Sequence, residues 1–122
     1  MIDRMTVQEA TSLDWIEEFT GAVTVCDRDG IVLAMNGRAR QTFARWGGAA
    51  LLGKSLLECH PEPARSKLLS LLASGGTNCY TIEKDGIRKL IYQAPWSSGG
   101  QRQGMVELSL EIPLDLPHYV RR

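Results

Sequence analysis

The run Leu57-Glu58-Cys59-His60-Pro61-Glu62-Pro63 places a cysteine and a histidine directly before two prolines. Proline is at home in the first turn of a helix, where its missing N–H removes no bond and its φ is already helical. Pro61 therefore reads as a helix start, with His60 at or near the N-cap. There the positive end of the helix dipole disfavours a second positive charge, which predicts a neutral imidazole, the form that ligates metals. A plain capping histidine at a loop edge is the alternative. Cys59 reads as a small buried hydrophobe, because a sequential Cys-His pair chelates a single ion poorly. Cys26 lies in a β-rich run and reads as core, as do Met35 and Met105, while Cys79 opens a later strand. Trp15, Trp46 and Trp96 sit at element ends and should pack over the core. His118, in a proline-punctuated tail, has no assigned chemistry. Glu17 and Glu18 are adjacent on a helix, and Glu107 and Glu111 should face away from the apolar set with which they alternate. With no nucleophile elbow and no Walker loop, an enzyme is not expected.

The elements that must position these residues fit in one domain, since 122 residues can bury a single core without disulfides or a structural metal. Fourteen basic and fourteen acidic side chains are interspersed, so no electrostatic footprint for nucleic acid or an anionic membrane is present. Three cysteines with no C-x-x-C spacing argue against both a secreted disulfide framework and a structural zinc site. The N-terminus lacks a signal-peptide pattern, and no apolar run approaches 18 residues. A soluble, cytoplasmic protein is expected.

A capping box at Thr6-Val7-Gln8-Glu9, with Val7, Ala10, Leu13, Ile16 and Phe19 following at helical spacing, predicts a helix over 6–19. Residues 22–26 and 31–35 are β-rich runs around Asp27-Arg28-Asp29-Gly30, a hairpin. Asn36 caps a helix through Phe43 that Gly47-Gly48 stops. Short turns follow at 49–52 and 55–58. The longest helix runs from Pro61 to Gly75-Gly76, with Ala64, Leu68, Leu71 and Leu72 on one face. Strands are expected at 79–83 and 89–94 around an Asp85-Gly86 turn, with Pro95 ending the ladder and Ser97-Ser98-Gly99-Gly100 a loop. The clearest period-two pattern, Val106, Leu108, Leu110 and Ile112, marks the last strand. Segregated strands around a helical insert indicate an α+β fold with one antiparallel sheet.

This order, carried by Asp27-x-Asp29-Gly30-x-Val32-x-x-x-Asn36, by Leu51-Leu52-Gly53-Lys54-Ser55-Leu56 and by Gly104-Met105-Val106-Glu107-Leu108, resembles the PAS family. The resemblance implies a five-stranded antiparallel sheet with a helical segment across one face, enclosing a pocket. It divides the chain into an N-terminal helix (1–20) for dimerisation or signalling, a PAS domain (21–113) and a C-terminal tail (114–122). The Cys59-His60-Pro61-Glu62-Pro63 run is similar to a PAS subgroup that includes CO-responsive haem transcription regulators. In those proteins the histidine opening the helix and a cysteine early in the next strand hold the iron, and a methionine replaces the cysteine on reduction. The resemblance thus implies b-type haem on His60 and Cys79. The methionine is unmatched, since Leu90, Ile91 and Tyr92 fill its region.

A helix of the expected length with a returning strand puts the two Cα atoms about 10 to 15 Å apart, a span that two side chains and an iron can bridge. Against this, Tyr80 and Ile82 form the apolar pair of their strand, which would turn Cys79 to the other face. The resulting expectation is a sensory PAS domain in which CO, NO or a redox change displaces the Cys79 thiolate, signalling in trans to a partner as a homodimer. The alternatives are a cofactor-free interaction module and a metabolite-binding PAS domain.

Overall fold

The computed structural model describes residues 14–122. The expected helix over 6–19 lies largely outside them; its described end forms a short 3₁₀ turn at Asp14–Ile16. Five strands follow in chain order: β1 (Ala22–Asp27), β2 (Val32–Met35), β3 (Asn78–Lys84), β4 (Ile87–Ser98) and β5 (Gln101–Ile112). They form one antiparallel sheet in the spatial order β2-β1-β5-β4-β3. The helical segment between β2 and β3 contains α1 (Gly37–Thr42), 3₁₀ turns at Ala44–Trp46, Gly48–Leu51 and Leu56–Cys59, and α2 (Ala64–Ser74). The expected α+β architecture holds.

Turn chemistry explains the hairpins. Asp85 and Gly86 both have positive φ between β3 and β4, and Gly99 and Gly100 do the same between β4 and β5. Two consecutive left-handed residues give the tight turn whose twist matches the flanking strands. Ser97 and Ser98 therefore belong to β4 and only Gly99-Gly100 form the turn, and β4 continues through Pro95 instead of stopping there. Beyond Gln93 the strand has lost β3 as a neighbour and pairs with β5 alone. A proline whose nitrogen turns to that open edge removes no ladder bond.

Two further boundaries differ from the sequence reading. Helix α2 begins at Ala64, not Pro61, so His60 caps the C-terminal end of the Leu56–Cys59 turn and does not open a helix. Leu68 and Leu71 are its buried face, as expected, and Gly75 ends it in a left-handed conformation that needs no Cβ. Trp15 and Trp46 are substantially exposed, whereas Trp96 donates its indole N–H to the Cys26 carbonyl at 3.0 Å.

The core lies between the helical segment and one face of the sheet. Cys26, Val32, Ala39, Leu56 and Leu68 are its most deeply buried members, with Met35 and Met105 beside them. Asn36 ties three parts of the chain together. Its Oδ1 accepts from Val23 N at 2.9 Å and Ala39 N at 3.0 Å, and its Nδ2 donates to the carbonyls of Ile16 at 3.0 Å and Gly21 at 2.8 Å. The side chain is thus more than the helix cap that its position suggested: all four of its common hydrogen-bonding sites are used in a buried setting. Replacing Asn36 by Ala leaves several of these backbone groups without partners. At about 1–3 kcal/mol for each buried group left unpaired, Asn36→Ala should lower the thermal midpoint by about 10 °C or more. A midpoint within about 2 °C of wild type would show that solvent replaces the bonds.

Candidate functional site

Strand alternation assigns the inner face of the sheet. Register pairs Thr24 with Glu107, Glu107 with Gln93 and Gln93 with Asn78, a row of four inward-facing residues crossing β1, β5, β4 and β3. Glu107 and Gln93 are 5% and 2% exposed, so the sequence reading of Glu107 is reversed. The apolar Val106, Leu108 and Leu110 take the opposite, outer face, where they are only half-buried. Both faces of β5 carry side chains that could be covered, and the helical segment covers the one with the glutamate.

Over this row sits His60, 8% exposed. Its Nε2 lies 3.2 Å from Glu107 Oε2, and its Nδ1 lies 2.9 Å from the Leu56 carbonyl oxygen and 3.6 Å from Cys59 Sγ. The Leu56 carbonyl can only accept, so Nδ1 must donate, and the Glu107 carboxyl group beside Nε2 favours a proton there as well, which holds the imidazole as a cation. Burial alone would lower its pKa, but the imidazole's hydrogen bonds to Cys59 and Glu107, the Glu107 charge and the Leu56 carbonyl outweigh burial and raise it to about 10. The expected neutral histidine is therefore corrected. Its premise was a helix N-terminus at Pro61, and the nearby carboxylate decides the charge instead. Phe43 packs near the imidazole, with ring centroids 6.2 Å apart.

The row continues outward. Gln93 Nε2 donates to the same Glu107 Oε2 at 2.6 Å, and Asn78 Nδ2 donates to Gln93 Oε1 at 3.1 Å. Asn78 and Gln93 form one wall of an open cleft of about 520 Å³, completed by Tyr80 from β3 and by Pro63, Ala64 and Lys67 from the start of α2. Burial raises the Tyr80 phenol pKa, and the Glu107 charge adds to the effect. A groove of about 580 Å³ lies at the other end of α2, between Arg28, Asp29 and Arg102, and Arg102 is bonded to the Ala73 carbonyl.

Cys79 pairs with Tyr92 and is exposed, while its neighbours Asn78 and Tyr80 line the cleft. Its thiol therefore lies on the outer face, away from His60. The structure does not bring these two predicted ligands together, and the nitrogen that would meet an iron is engaged by Glu107. As arranged, these residues do not fit a thiolate–imidazole haem site. Among the described residues no three His, Cys, Asp or Glu side chains converge on a metal position. Cys59 and Cys26 are buried, as expected, and burial pushes the Cys26 thiol up to about 11. The residues that sequence reasoning missed are Glu107, Gln93 and Asn78. The available signal was a glutamate midway along a long strand, flanked on both sides by apolar residues.

A five-stranded antiparallel sheet in the order β2-β1-β5-β4-β3, with helices across one face, now stands beside a sequence match to the PAS fold family over residues 16–113. The chain belongs to the PAS family. The matched region begins a few residues before the domain boundary expected at 21. No curated protein matches the sequence. Among solved structures, this PAS domain is similar to the Vibrio cholerae VqmA dimer described in the absence of its target DNA, with a TM-score of 0.64 and 14% identity over 98% of this chain. It spans 58% of that VqmA chain. It is also similar to the Vibrio cholerae Aer2 receptor, described as a dual PAS-heme oxygen sensor, with a TM-score of 0.59 and 14% identity over 80% of this chain and 99% of that one. A third similar structure is the PAS domain of an HTR-like protein from Haloarcula marismortui, with a TM-score of 0.60 and 17% identity over 86% and 93% of the two chains. No helix among the described residues is long and apolar enough to cross a membrane.

The charged state of His60 has a measurable signature. A histidine whose pKa rises from 6.5 to about 10 on folding contributes stability that is fully present below pH 6.5 and is lost as pH climbs through 10. The stability difference between wild type and His60→Gln, from urea unfolding, should therefore shrink steadily across that range. A difference that stays flat would show that the folded imidazole is not held as a cation.

Proposed function

We propose that this PAS domain is a non-catalytic sensory module that binds a small organic ligand in the cleft between α2 and the β3–β4 hairpin. The observation that carries this reading is the cleft itself. Its volume suits a small ligand, its lining is mostly apolar, and a few polar groups converge on one wall, the usual composition of such sites. Behind that wall the Gln93–Glu107–His60 chain reaches β5, the central strand, so the cleft is mechanically joined to the middle of the sheet. Occupancy that shifts β5 alters the outer face, where Val23, Val25, Val106, Leu108 and Leu110 offer an apolar surface to a second copy or to a signalling partner in trans.

Haem is the finer reading that the sequence raised, and similarity to a PAS-heme sensor keeps it in view. It requires His60 to leave Glu107, which would expose a buried carboxylate without its counter-charge. Breaking one side of such a pair costs about 3–5 kcal/mol. The organic ligand needs no such rearrangement. A module that binds nothing and acts only through its sheet is the second reading, favoured by the apolar outer face.

Native mass spectrometry and an absorption spectrum of the purified protein separate these readings. A bound species of a few hundred daltons that is lost in Ala64→Phe, where a phenyl ring fills the cleft, is expected. A Soret band lost in His60→Ala would assign the site to haem instead. Protein that carries no ligand, and whose thermal midpoint no small molecule raises, would leave the interaction module.

A further inference from the structure

The bond directions along the polar row carry a further consequence for the cleft. Glu107 Oε2 can only accept, so the Gln93 side chain must present its NH₂ to it; a flipped amide would press its oxygen against the carboxylate at 2.6 Å. That orientation turns Gln93 Oε1 toward Asn78, which must in turn offer Nδ2. The Asn78 and Gln93 amides thus each donate in the direction of Glu107, which meets His60 on its other side. The arrangement leaves Asn78 Oδ1 without a partner among the described residues. It is not sealed off, because every fully buried side-chain nitrogen and oxygen among them is satisfied. Asn78 and Gln93 both line the cleft, so the polar groups they can offer a ligand there are the Asn78 oxygen, the second hydrogen of its NH₂ and the remaining lone pair of Gln93 Oε1.

We propose that the cleft selects an uncharged ligand bearing a hydrogen-bond donor and an acceptor on one edge, as in a primary carboxamide, a lactam or an equivalent ring, and that Glu107 is the positioning residue that sets this preference. The inference rests on the small-ligand reading above. A carboxylate ligand can satisfy the Asn78 N–H but brings a second acceptor against the Asn78 and Gln93 oxygens. An amide satisfies both, and its apolar body meets Pro63, Ala64 and the Tyr80 ring. Lys67, at the exposed rim, is the one cationic group of the lining.

The test titrates benzamide and sodium benzoate into the full ¹⁵N-labelled chain and follows the side-chain NH₂ resonances of Asn78 and Gln93. Benzamide should shift both pairs and bind at least about tenfold more tightly than benzoate, the scale of one well-made hydrogen bond against a repulsive one. In Glu107→Gln, whose neutral amide accepts either orientation of Gln93, that ratio should fall to about threefold or less. Should this variant fold poorly, Asn78→Leu provides a second reading: benzamide weakens by about tenfold while benzoate does not. Benzoate binding as tightly as benzamide overturns the amide preference while leaving the small-ligand reading intact. An unchanged ratio in Glu107→Gln removes Glu107 from the positioning role. If neither compound moves any cleft resonance, the amide preference falls, while the small-ligand reading stands or falls on the bound species sought by mass spectrometry.

Discussion

A buried cation and a buried anion meet at His60 and Glu107, and much of the domain is arranged around keeping them together. Either charge alone would be strongly disfavoured in that setting, since desolvating an unpaired ion costs several kcal/mol or more. The pair joins residues 47 positions apart. One end belongs to the segment leading into α2, the other to the centre of the middle strand. It therefore anchors the helical layer to the sheet at a defined place, where apolar packing alone would allow sliding. The Leu56 carbonyl and Cys59 thiol hold the imidazole from behind, which is why the short 3₁₀ turn before it matters as much as the long helix after it.

The same pair organises the cleft. Because Glu107 accepts from both His60 and Gln93 through one oxygen, it fixes the Gln93 amide, and Gln93 fixes Asn78. A charge placed in the core thereby determines which polar atoms reach the cleft wall. The same bonds join the cleft wall to the centre of the sheet, since the row runs from β3 to β5.

Several features were legible in the chain because they are local. Asp85-Gly86 and Gly99-Gly100 fit turns that need left-handed residues; Gly75 ends a helix for the same reason; Asn36 caps α1. The spacing of Leu68 and Leu71 marked the buried side of α2. Errors arose wherever a local rule met a distant neighbour. Pro95 looked like a strand end because its own strand gives no sign that one side of it lies open. His60 looked neutral because the prolines after it resemble a helix start, while the carboxylate that charges it is far away in the sequence.

The sequence by itself determined the elements, their order and hence the family, because hydrophobic period, caps and turn residues act over a few positions. It also identified His60 as a residue of consequence. Only the tertiary structure decided which face of each strand looks inward. Alternation divides β5 into a Val106–Leu108–Leu110 face and a Met105–Glu107–Ser109 face but gives neither a label, and here the helices cover the second. That choice buries Glu107, sends Cys79 to the outer face with Tyr92, and gives His60 a carboxylate for its partner in place of a thiol. The physical reason is that a strand's period is intrinsic to its backbone, whereas the layer that packs on it comes from elsewhere in the chain.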